Sequence, residues 1–299
     1  MSHTNLKIGC AGAGVLGGAI MQRLLESRFD VMVWNRTPER LQALTALGAK
    51  TAAEPVELSH HADFILTCLA DGAAVEAVVF GSKGVAVAGS DDKILIDMSS
   101  ADPVHTTSMA ARLRKQCGMR WIDAPISGGA PAARNGQMTV MAGGSQRDFD
   151  KAEAIWDALA ARCTLMGPNG AGQTTKMVNQ VLVACTLAVL GEVCGFAERS
   201  GVNTTRIPHA LGGGRADSHL LQEYMPKMAE SDFSVEGRLG LMVKDLDMIE
   251  ALAKHADAQI PMTAVAGTVF RKLTAAGFGD RDNSELVNLY RRGSLPSGI

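Results

Sequence analysis

A glycine-rich turn near the start of the chain constrains the fold more than any other feature of the sequence. The hexapeptide Gly12-Ala13-Gly14-Val15-Leu16-Gly17 follows an apolar, strand-like run at 6–11 and opens a segment with helical spacing. In this strand–turn–helix context Gly12 permits a tight turn, Gly14 lets a pyrophosphate approach the backbone, and Gly17 allows close packing of helix on strand. The loop therefore predicts a unit that binds a dinucleotide.

The rest of the first half alternates strand-like runs with helical patterns, which is typical of a parallel sheet covered by helices. A helix is predicted at 15–27, and further strands at 30–35, 63–68, 93–98, 120–123, 137–142 and 162–166. After the loop at 167–172 the strand signals end and helical patterns continue. We therefore predict an α/β fold, with a Rossmann-type dinucleotide-binding domain over 1–166 followed by an all-α domain over 167–299.

The longest predicted helix covers 173–200, and its middle is apolar on all sides. One small domain can hardly cover such a helix completely, so we expect a homodimer or higher homo-oligomer in which helical domains bury one another. The uncharged stretch at 177–191 contains Asn179 and Gln180 and is shorter than the roughly 20 residues that a membrane span needs. No membrane span is expected.

Charge and cysteine content narrow the possible partners and the cellular compartment. The chain has 29 Lys and Arg against 31 Asp and Glu, a net charge of −2, which argues against a nucleic-acid or anionic-membrane surface. The six cysteines lie far apart and form no C-x-x-C pair, which indicates free thiols and a reducing, cytoplasmic location. The seven histidines show no metal-ligand spacing, so no metal is assigned.

The residues after the second predicted strand bear on the choice of cofactor. An acidic residue there would accept hydrogen bonds from the ribose 2′-hydroxyl of NAD, but this chain has Asn35, Arg36 and Thr37. The guanidinium of Arg36 suits the 2′-phosphate of NADP, whereas the alternative is a solvated arginine in the turn that begins a helix at Pro38. NADP is therefore the preferred cofactor, with NAD possible, and these three residues are predicted to contact it.

Three further segments, read with the glycine loop, resemble the β-hydroxyacid dehydrogenase family, which includes 3-hydroxyisobutyrate dehydrogenase, tartronate semialdehyde reductase and glyoxylate/succinic semialdehyde reductase. They are DAPISGG at 123–129, GAGQTTKMVNQ at 170–180 and KDL at 244–246. Their order and spacing match across nearly the whole chain. The resemblance implies an NAD(P)-dependent dehydrogenase or reductase that interconverts a small 3-hydroxy acid and its semialdehyde or keto form.

The resemblance also assigns residues to the substrate. Ser127-Gly128-Gly129 is a small-residue turn with exposed backbone N–H groups, and the family match implies that it binds the substrate carboxylate. By its position alone, Lys176 is either an edge residue with its charge at the surface or a functional amine. The family match implies a general acid/base that donates a proton to the carbonyl oxygen, with Asn179 and Gln180 binding substrate beside it.

Further contacts with the cofactor are implied by the same resemblance. Leu69 and Ala70 follow the strand-like run at 63–68, Ser100 follows the run at 93–98, and Lys244 is expected to close over the nicotinamide end. One departure concerns Gly237, because the family usually has an aromatic residue there. A wider substrate pocket is therefore expected.

Two other functions are compatible with parts of the pattern. An imine reductase shares the architecture but typically replaces the lysine, so Lys176 argues against it. A non-catalytic NADP-binding module that uses its helical domain for partner contacts remains open from the sequence.

Overall fold

The computed structural model describes residues 6–291, which belong to two compact units. The first unit ends at Lys176 and the second begins at Met177. The first contains a sheet with helices, and the described part of the second is helical, so the predicted α/β fold with a helical second domain is confirmed. The domain boundary at 166/167 stays a prediction.

The first unit is built on a sheet of nine strands within the described residues. Strands β1 to β9 are, in chain order, Lys7–Ala11, Asp30–Trp34, Lys50–Thr51, Phe64–Thr67, Ile94–Asp97, Arg120–Asp123, Ile126–Ser127, Met138–Gly143 and Ala160–Gly167. Their order in the sheet is β3-β2-β1-β4-β5-β6-β8-β7, and β9 pairs with β8. The chain thus moves outward from β1 in both directions, as it does in dinucleotide-binding sheets.

Strands β1 to β6 pair in parallel, as predicted, but β8 runs antiparallel to β6 and β7. The expectation of a parallel sheet was wrong for β8, because apolar patterning shows which residues are buried but not the direction of a strand. The predicted strands appear within two residues of their expected bounds. Strands β3 and β7 were missed because two residues are too short to show alternation.

The central strands β1, β4 and β5 are buried along nearly their whole length because helices cover both faces of the sheet. In β5, Ile94 and Ile96 pack into one buried cluster, whereas Leu95 packs into another with Trp121 of β6. Alternate residues of a strand point to opposite faces, so the two clusters form the two layers between sheet and helices.

The helices of the first unit begin and end at recognisable signals. At the helix 103–117, the Asp102 side chain accepts the His105 N–H at 2.7 Å, Pro103 takes the first position, and Gly118 ends the helix with φ of 80°. Helices α1 to α8 are Val15–Glu26, Gln42–Ala46, Pro55–His61, Gly72–Phe80, Pro103–Cys117, Gly129–Arg134, Gln146–Lys151 and Glu153–Leu159, with 3-10 helices at Pro38–Leu41 and Val85–Ala88.

The helix predicted at 173–200 is the longest element, and it begins in the first unit and ends in the second. Helices α9 to α13 are Ala171–Arg199, Ile207–Leu211, His219–Glu230, Leu239–His255 and Pro261–Leu273. Shorter 3-10 helices lie at Thr204–Arg206 and Asn283–Leu289, with a π-helical turn at Thr274–Phe278. Leu187, Met225, Leu246 and Phe270 pack together in the core of the second unit.

The two faces of α9 differ in exposure within the second unit. Ala184, Leu187 and Cys194 are buried, whereas Leu182 is 65% and Phe196 is 70% exposed. Val178, Val189 and Val193 extend this exposed apolar face at helical spacing. We call these five residues the α9 stripe: Val178, Leu182, Val189, Val193 and Phe196.

Among the described residues, α9 is also the helix that is long and apolar enough to cross a membrane by length and composition. An 18-residue window within its 29 residues reaches a mean hydropathy of 1.8, and 44% of that window is buried. The whole helix is thus longer than the uncharged stretch at 177–191, and the expectation of no membrane span stays a prediction.

Candidate active site

The glycine loop has two glycines that its own packing requires and one that faces open space. Gly12 has φ of +104°, and a Cβ there would lie 2.3 Å from the carbonyl oxygen of Cys68. A Cβ at Gly17 would lie 1.9 Å from the Gly12 oxygen, whereas a Cβ at Gly14 would meet nothing within 4 Å. The space above Gly14 is thus left for a ligand, as a pyrophosphate site requires.

The start of α1 adds electrostatic attraction for an anion at this loop. Gly14 is the N-cap residue and provides no side-chain hydrogen bond to the first turn, which contains no acidic residue. Val15 is exposed at the first position of the helix and Leu16 is half-buried. The N–H groups and the positive end of the helix dipole therefore fit a pyrophosphate.

Asn35 connects the glycine loop to the turn after β2. Its Oδ1 accepts the Ala13 N–H at 2.9 Å, and its Nδ2 donates to the Thr37 carbonyl at 2.8 Å. Arg36 and Thr37 are exposed beside it. The Asn35 carboxamide therefore holds the two segments together, a role that its sequence position did not indicate. The exposed Arg36 guanidinium is accessible to a ligand.

The segments after β4 and β5 are joined by hydrogen bonds. The Ser99 hydroxyl accepts the Leu69 N–H at 2.9 Å, and Leu69 also lies against the glycine loop, since a Cβ at Gly12 would be 2.8 Å from its Cδ2. The structure therefore brings the Leu69–Ala70 segment together with both the glycine loop and the segment that contains Ser100. Ser99 was not singled out by the sequence, although it precedes Ser100.

Two buried carboxylates at the ends of β5 and β6 were also missed. Asp97 accepts hydrogen bonds from the Thr67 hydroxyl at 2.8 Å and the Ser99 N–H at 3.1 Å. Burial and, to a smaller extent, nearby Asp123 raise the pKa of Asp97 to about 6 against the effect of these hydrogen bonds. Burial likewise raises the pKa of Asp123 to about 6. The sequence signal that could have identified both residues is an acidic residue at the end of an otherwise apolar strand.

The predicted carboxylate-binding turn follows β7 directly. Gly128 and Gly129 have φ of +109° and +64°, a region that favours glycine, and α6 begins at Gly129. Ser127 is half-buried and both glycines are exposed. The backbone of this turn is therefore accessible to a ligand, and its glycines are needed for the conformation.

Lys176 lies in the second turn of α9 and is 8% exposed. The first turn of this helix is bonded to β6, because Asp123 accepts the N–H groups of Gly170 and Gln173 at 2.9 and 3.0 Å. Lysine side chains are rarely buried to this extent unless the surroundings provide a partner for the amine. Its placement favours a functional amine over a surface residue.

In the second unit, three further predicted site residues are joined through one carboxylate. Asn179 Nδ2 donates to Gln180 Oε1 at 2.8 Å, and Gln180 Nε2 donates to Asp245 Oδ2 at 2.6 Å. Lys244 Nζ lies 3.6 Å from Asp245 Oδ1. Asp245 is buried and orients the Gln180 amide, a role that the sequence did not assign although Asp245 stands inside the 244–246 motif.

Gly237, where the sequence departs from the family pattern, is closely surrounded by side chains. Its N–H donates to Asp282 Oδ2 at 2.9 Å, and a Cβ would lie 2.7 Å from Asn283 Nδ2. A side chain at this position would require the Asn283 amide to move. The wider pocket stays a prediction.

Within residues 6–291, no group of three or more His, Cys, Asp or Glu is placed to hold a metal ion.

Two family models match this chain. The model of the NAD-binding domain of 6-phosphogluconate dehydrogenase matches residues 7–167, and the model of the NAD-binding region of NADP-dependent 3-hydroxyisobutyrate dehydrogenase matches residues 170–290. The chain is 32% identical to 2-hydroxy-3-oxopropionate reductase of Escherichia coli, covering 94% of this chain and 96% of that protein. It is 30% identical to L-threonate dehydrogenase of Cupriavidus necator, covering 97% of each.

Solved structures are similar over the same length. The crystal structure of 3-hydroxyisobutyrate dehydrogenase from Salmonella typhimurium has a TM-score of 0.85 and 26% identity, covering 95% of this chain and 100% of that chain. An imine reductase from Pseudomonas sp. is more distant, with a TM-score of 0.65 and 22% identity, covering 96% of this chain and 99% of that chain. The similarity to the imine reductase shows the fold alone.

The open space at Gly14 leads to a prediction about cofactor binding. Gly14→Ala is expected to fold as the wild type does, because its Cβ meets nothing within 4 Å. The added methyl group would occupy the approach of the pyrophosphate, so the dissociation constant for NADPH should rise by about tenfold or more, a loss of about 1.4 kcal/mol. Titration of NADPH fluorescence and a thermal melt measure the two effects.

Gly18→Ala is the matched control, because a Cβ at Gly18 also meets nothing within 4 Å and Gly18 lies one turn further into α1. The NADPH affinity of this variant should remain at the wild-type value, and its melting temperature should not fall, because alanine is favoured over glycine inside a helix. Wild-type NADPH affinity in Gly14→Ala would contradict the placement of the pyrophosphate.

Proposed function

The chain belongs to the β-hydroxyacid dehydrogenase family, the family of 3-hydroxyisobutyrate dehydrogenase, and we propose that it interconverts a small 3-hydroxy acid with its semialdehyde or keto form, using Lys176 as general acid/base. The enzyme is an NAD(P)-dependent oxidoreductase that acts on a CH–OH group. The observation that carries the proposal is the buried position of Lys176 in a helix whose first turn is bonded to the sheet.

The substrate class follows from the family and from the residues of the first unit. Two relatives are named for L-threonate and 2-hydroxy-3-oxopropionate, both small acids that carry a hydroxyl group. The exposed backbone of Ser127, Gly128 and Gly129 suits a carboxylate, since successive N–H groups at a glycine turn attract anions. We therefore assign the substrate carboxylate to this turn.

Lys176 is the group that we assign to donate or remove the proton in the reaction. When bound, the nicotinamide supplies or accepts the hydride at the carbinol carbon. As the carbonyl is reduced, the Lys176 ammonium donates its proton to the developing alkoxide oxygen, and in the oxidative direction the neutral amine removes the hydroxyl proton. Asn179 and Gln180 follow at positions i+3 and i+4 of the same helix, where their amides hydrogen-bond the substrate and orient it toward the amine.

We assign the cofactor to the segments at the carboxyl ends of the strands, together with Lys244 of α12. The residues that we assign to this contact are Gly12, Gly14, Val15, Leu16, Gly17, Asn35, Arg36, Thr37, Leu69, Ala70, Ser100 and Lys244. The exposed Arg36 and the absence of an acidic residue at 35–37 support NADP as the preferred cofactor, with NAD as a possible substitute.

The α9 stripe supports a homodimer or higher homo-oligomer. Its five apolar side chains would face water in a single chain, and a second copy of the helical unit would remove them from water. The same burial accounts for the hydropathy of α9 without a membrane. The near-neutral charge supports the absence of a nucleic-acid partner, and the free cysteines support a cytoplasmic location.

Replacement of the proposed proton donor tests the function. Lys176→Met is expected to lower kcat for reduction of a three- to five-carbon semialdehyde or keto acid by about 10²- to 10⁴-fold, because general acid catalysis supplies a factor of that order. Binding of NADPH should be retained. The measurement is the loss of reduced-nicotinamide absorbance over a panel of such acids, with NADPH and NADH.

Lys115→Met is the matched control, because Lys115 is an exposed lysine on α5 and its replacement removes the same charge. It should keep wild-type kcat. The function would be refuted by wild-type kcat in Lys176→Met, by turnover of imines but of no acid, or by NADPH binding without turnover of any acid in the panel.

The cofactor preference depends on Arg36. Arg36→Ala is expected to reduce kcat/KM with NADPH by about tenfold or more and to change kcat/KM with NADH by less than about twofold, because only NADPH has the 2′-phosphate that the guanidinium binds. Arg147→Ala removes an exposed arginine from α7 and is the control. An equal loss with both cofactors in Arg36→Ala would argue against a phosphate contact.

The oligomeric state depends on the α9 stripe. We expect multi-angle light scattering at micromolar concentration to give at least twice the chain mass for the wild type. The variant Leu182→Glu/Phe196→Glu should give the mass of one chain, because burying two carboxylates in an apolar contact is unfavourable. Leu47→Glu, at an exposed leucine in the first unit, should remain oligomeric. A monomeric wild type would refute the assembly.

A further inference from the structure

We propose that Asp123 and Gln173 are positioning residues, which fix the first turns of α9 against the strand ends and so place the Lys176 amine for proton transfer. The inference rests on the proposed role of Lys176. All the contacts that support it lie within the first unit.

Asp123 bonds the start of α9 with both carboxylate oxygens. Oδ1 accepts the Gly170 N–H at 2.9 Å and Oδ2 accepts the Gln173 N–H at 3.0 Å. Helix N-termini leave such N–H groups without a partner in the helix, and a nearby residue of the same segment usually satisfies them. Here the acceptor is on β6, 47 residues before Gly170. A capping carboxylate on a distant strand therefore stabilises the helix and also fixes its position relative to that strand.

Gln173 makes a second connection, to the segment after β5. Its side chain is fully buried, its Nε2 donates to the Ser99 carbonyl at 2.8 Å, and its Oε1 accepts the Ala101 N–H at 3.2 Å. Both bonds reach the backbone on either side of Ser100, which we assign to the cofactor. A single amide thus joins the helix of the proton donor to a segment that contacts the cofactor.

Glycines allow the helix to approach the sheet this closely. A Cβ at Gly172 would lie 2.5 Å from the carbonyl oxygens of Asp123 and Met141, and a Cβ at Gly143 would lie 2.7 Å from Asp123 Oδ2. Any side chain at either position would push the helix away from the strand ends. The backbone of α9 is therefore fixed by contact as well as by hydrogen bonds.

The hydrogen bonds of Asp123 and Gln173 determine the position of Lys176 because an α-helix is rigid over one turn. Lys176 follows Gln173 by three residues, which places it on the same side of α9 at a rise of about 4.5 Å. Together, Asp123 and Gln173 restrict both the position and the rotation of the helix. A change in either would move the lysine relative to the cofactor segment, and a displacement of about 1 Å can lower a rate by about 10²-fold.

The test uses two variants that keep the size of the side chain. Asp123→Asn replaces one carboxylate oxygen, which accepts a hydrogen bond, by an NH₂ group that cannot accept one from the backbone N–H it faces. Gln173→Met removes both hydrogen bonds of the side-chain amide. We expect kcat to fall by about 10- to 100-fold in each, with KM within about threefold and the NADPH dissociation constant within about twofold of wild type. Gln173→Met carries the test alone if Asp123→Asn does not fold.

Ser59→Ala is the matched control for loss of a buried hydrogen bond. The Ser59 hydroxyl is fully buried and donates to the Val85 carbonyl at 2.8 Å in the same unit. This variant should lower the melting temperature and keep wild-type kcat. An equal fall of kcat in Ser59→Ala would show that general destabilisation explains the losses, and would overturn the inference.

A double-mutant cycle separates positioning of Lys176 from a separate effect on turnover. In the Lys176→Met background, Asp123→Asn and Gln173→Met should change the residual kcat by less than about threefold, because the group that they position is gone. A further loss as large as in the wild-type background would overturn the inference. Wild-type kcat in both single variants, with kcat lost in Lys176→Met, would overturn it while leaving the proposed function intact. Wild-type kcat in Lys176→Met would overturn the proposed function itself.

Discussion

The parallel register of the central strands determines where the chemistry of the first unit can lie. Ala11 of β1 pairs with Trp34 of β2 and with Thr67 of β4, Thr67 pairs with Asp97 of β5, and Asp97 pairs with Asp123 of β6. The last residues of these five strands therefore form one row across the sheet. The loops that follow them meet at the same edge, as they do at the ligand-binding edge of other open α/β sheets.

The row contains buried acids that the interior would otherwise disfavour. A carboxylate loses its hydration on burial, and its hydrogen bonds only partly replace that hydration, which is why the pKa of Asp97 and of Asp123 rises to about 6. Each acid connects two segments at this edge of the sheet. Asp97 joins β4 to Ser99, and Asp123 joins β6 to α9. These connections align the segments to which we assign the cofactor and the proton donor.

Local patterns in the sequence predicted the elements and the motifs but not the contacts between them. The positions of β1, α1 and α9 follow from apolar spacing and glycine placement, which act over a few residues. The connection of Asp123 to Gly170 spans 47 residues and that of Gln180 to Asp245 spans 65, so neither has a local signal. Asn35 shows the same limit, because its cofactor contact stays a prediction, whereas the hydrogen bond that its amide accepts from Ala13, 22 residues away, had no local signal.

The fate of the hydrogen at nicotinamide C4 tests the chemistry most directly. With NADPH carrying deuterium in place of the transferred hydrogen, and with a small semialdehyde acid as substrate, we expect one deuterium on the carbinol carbon of the product by NMR. Lys176 would supply the hydroxyl proton, which exchanges with solvent and carries no label. Product that forms without deuterium at that carbon would contradict hydride transfer in this enzyme.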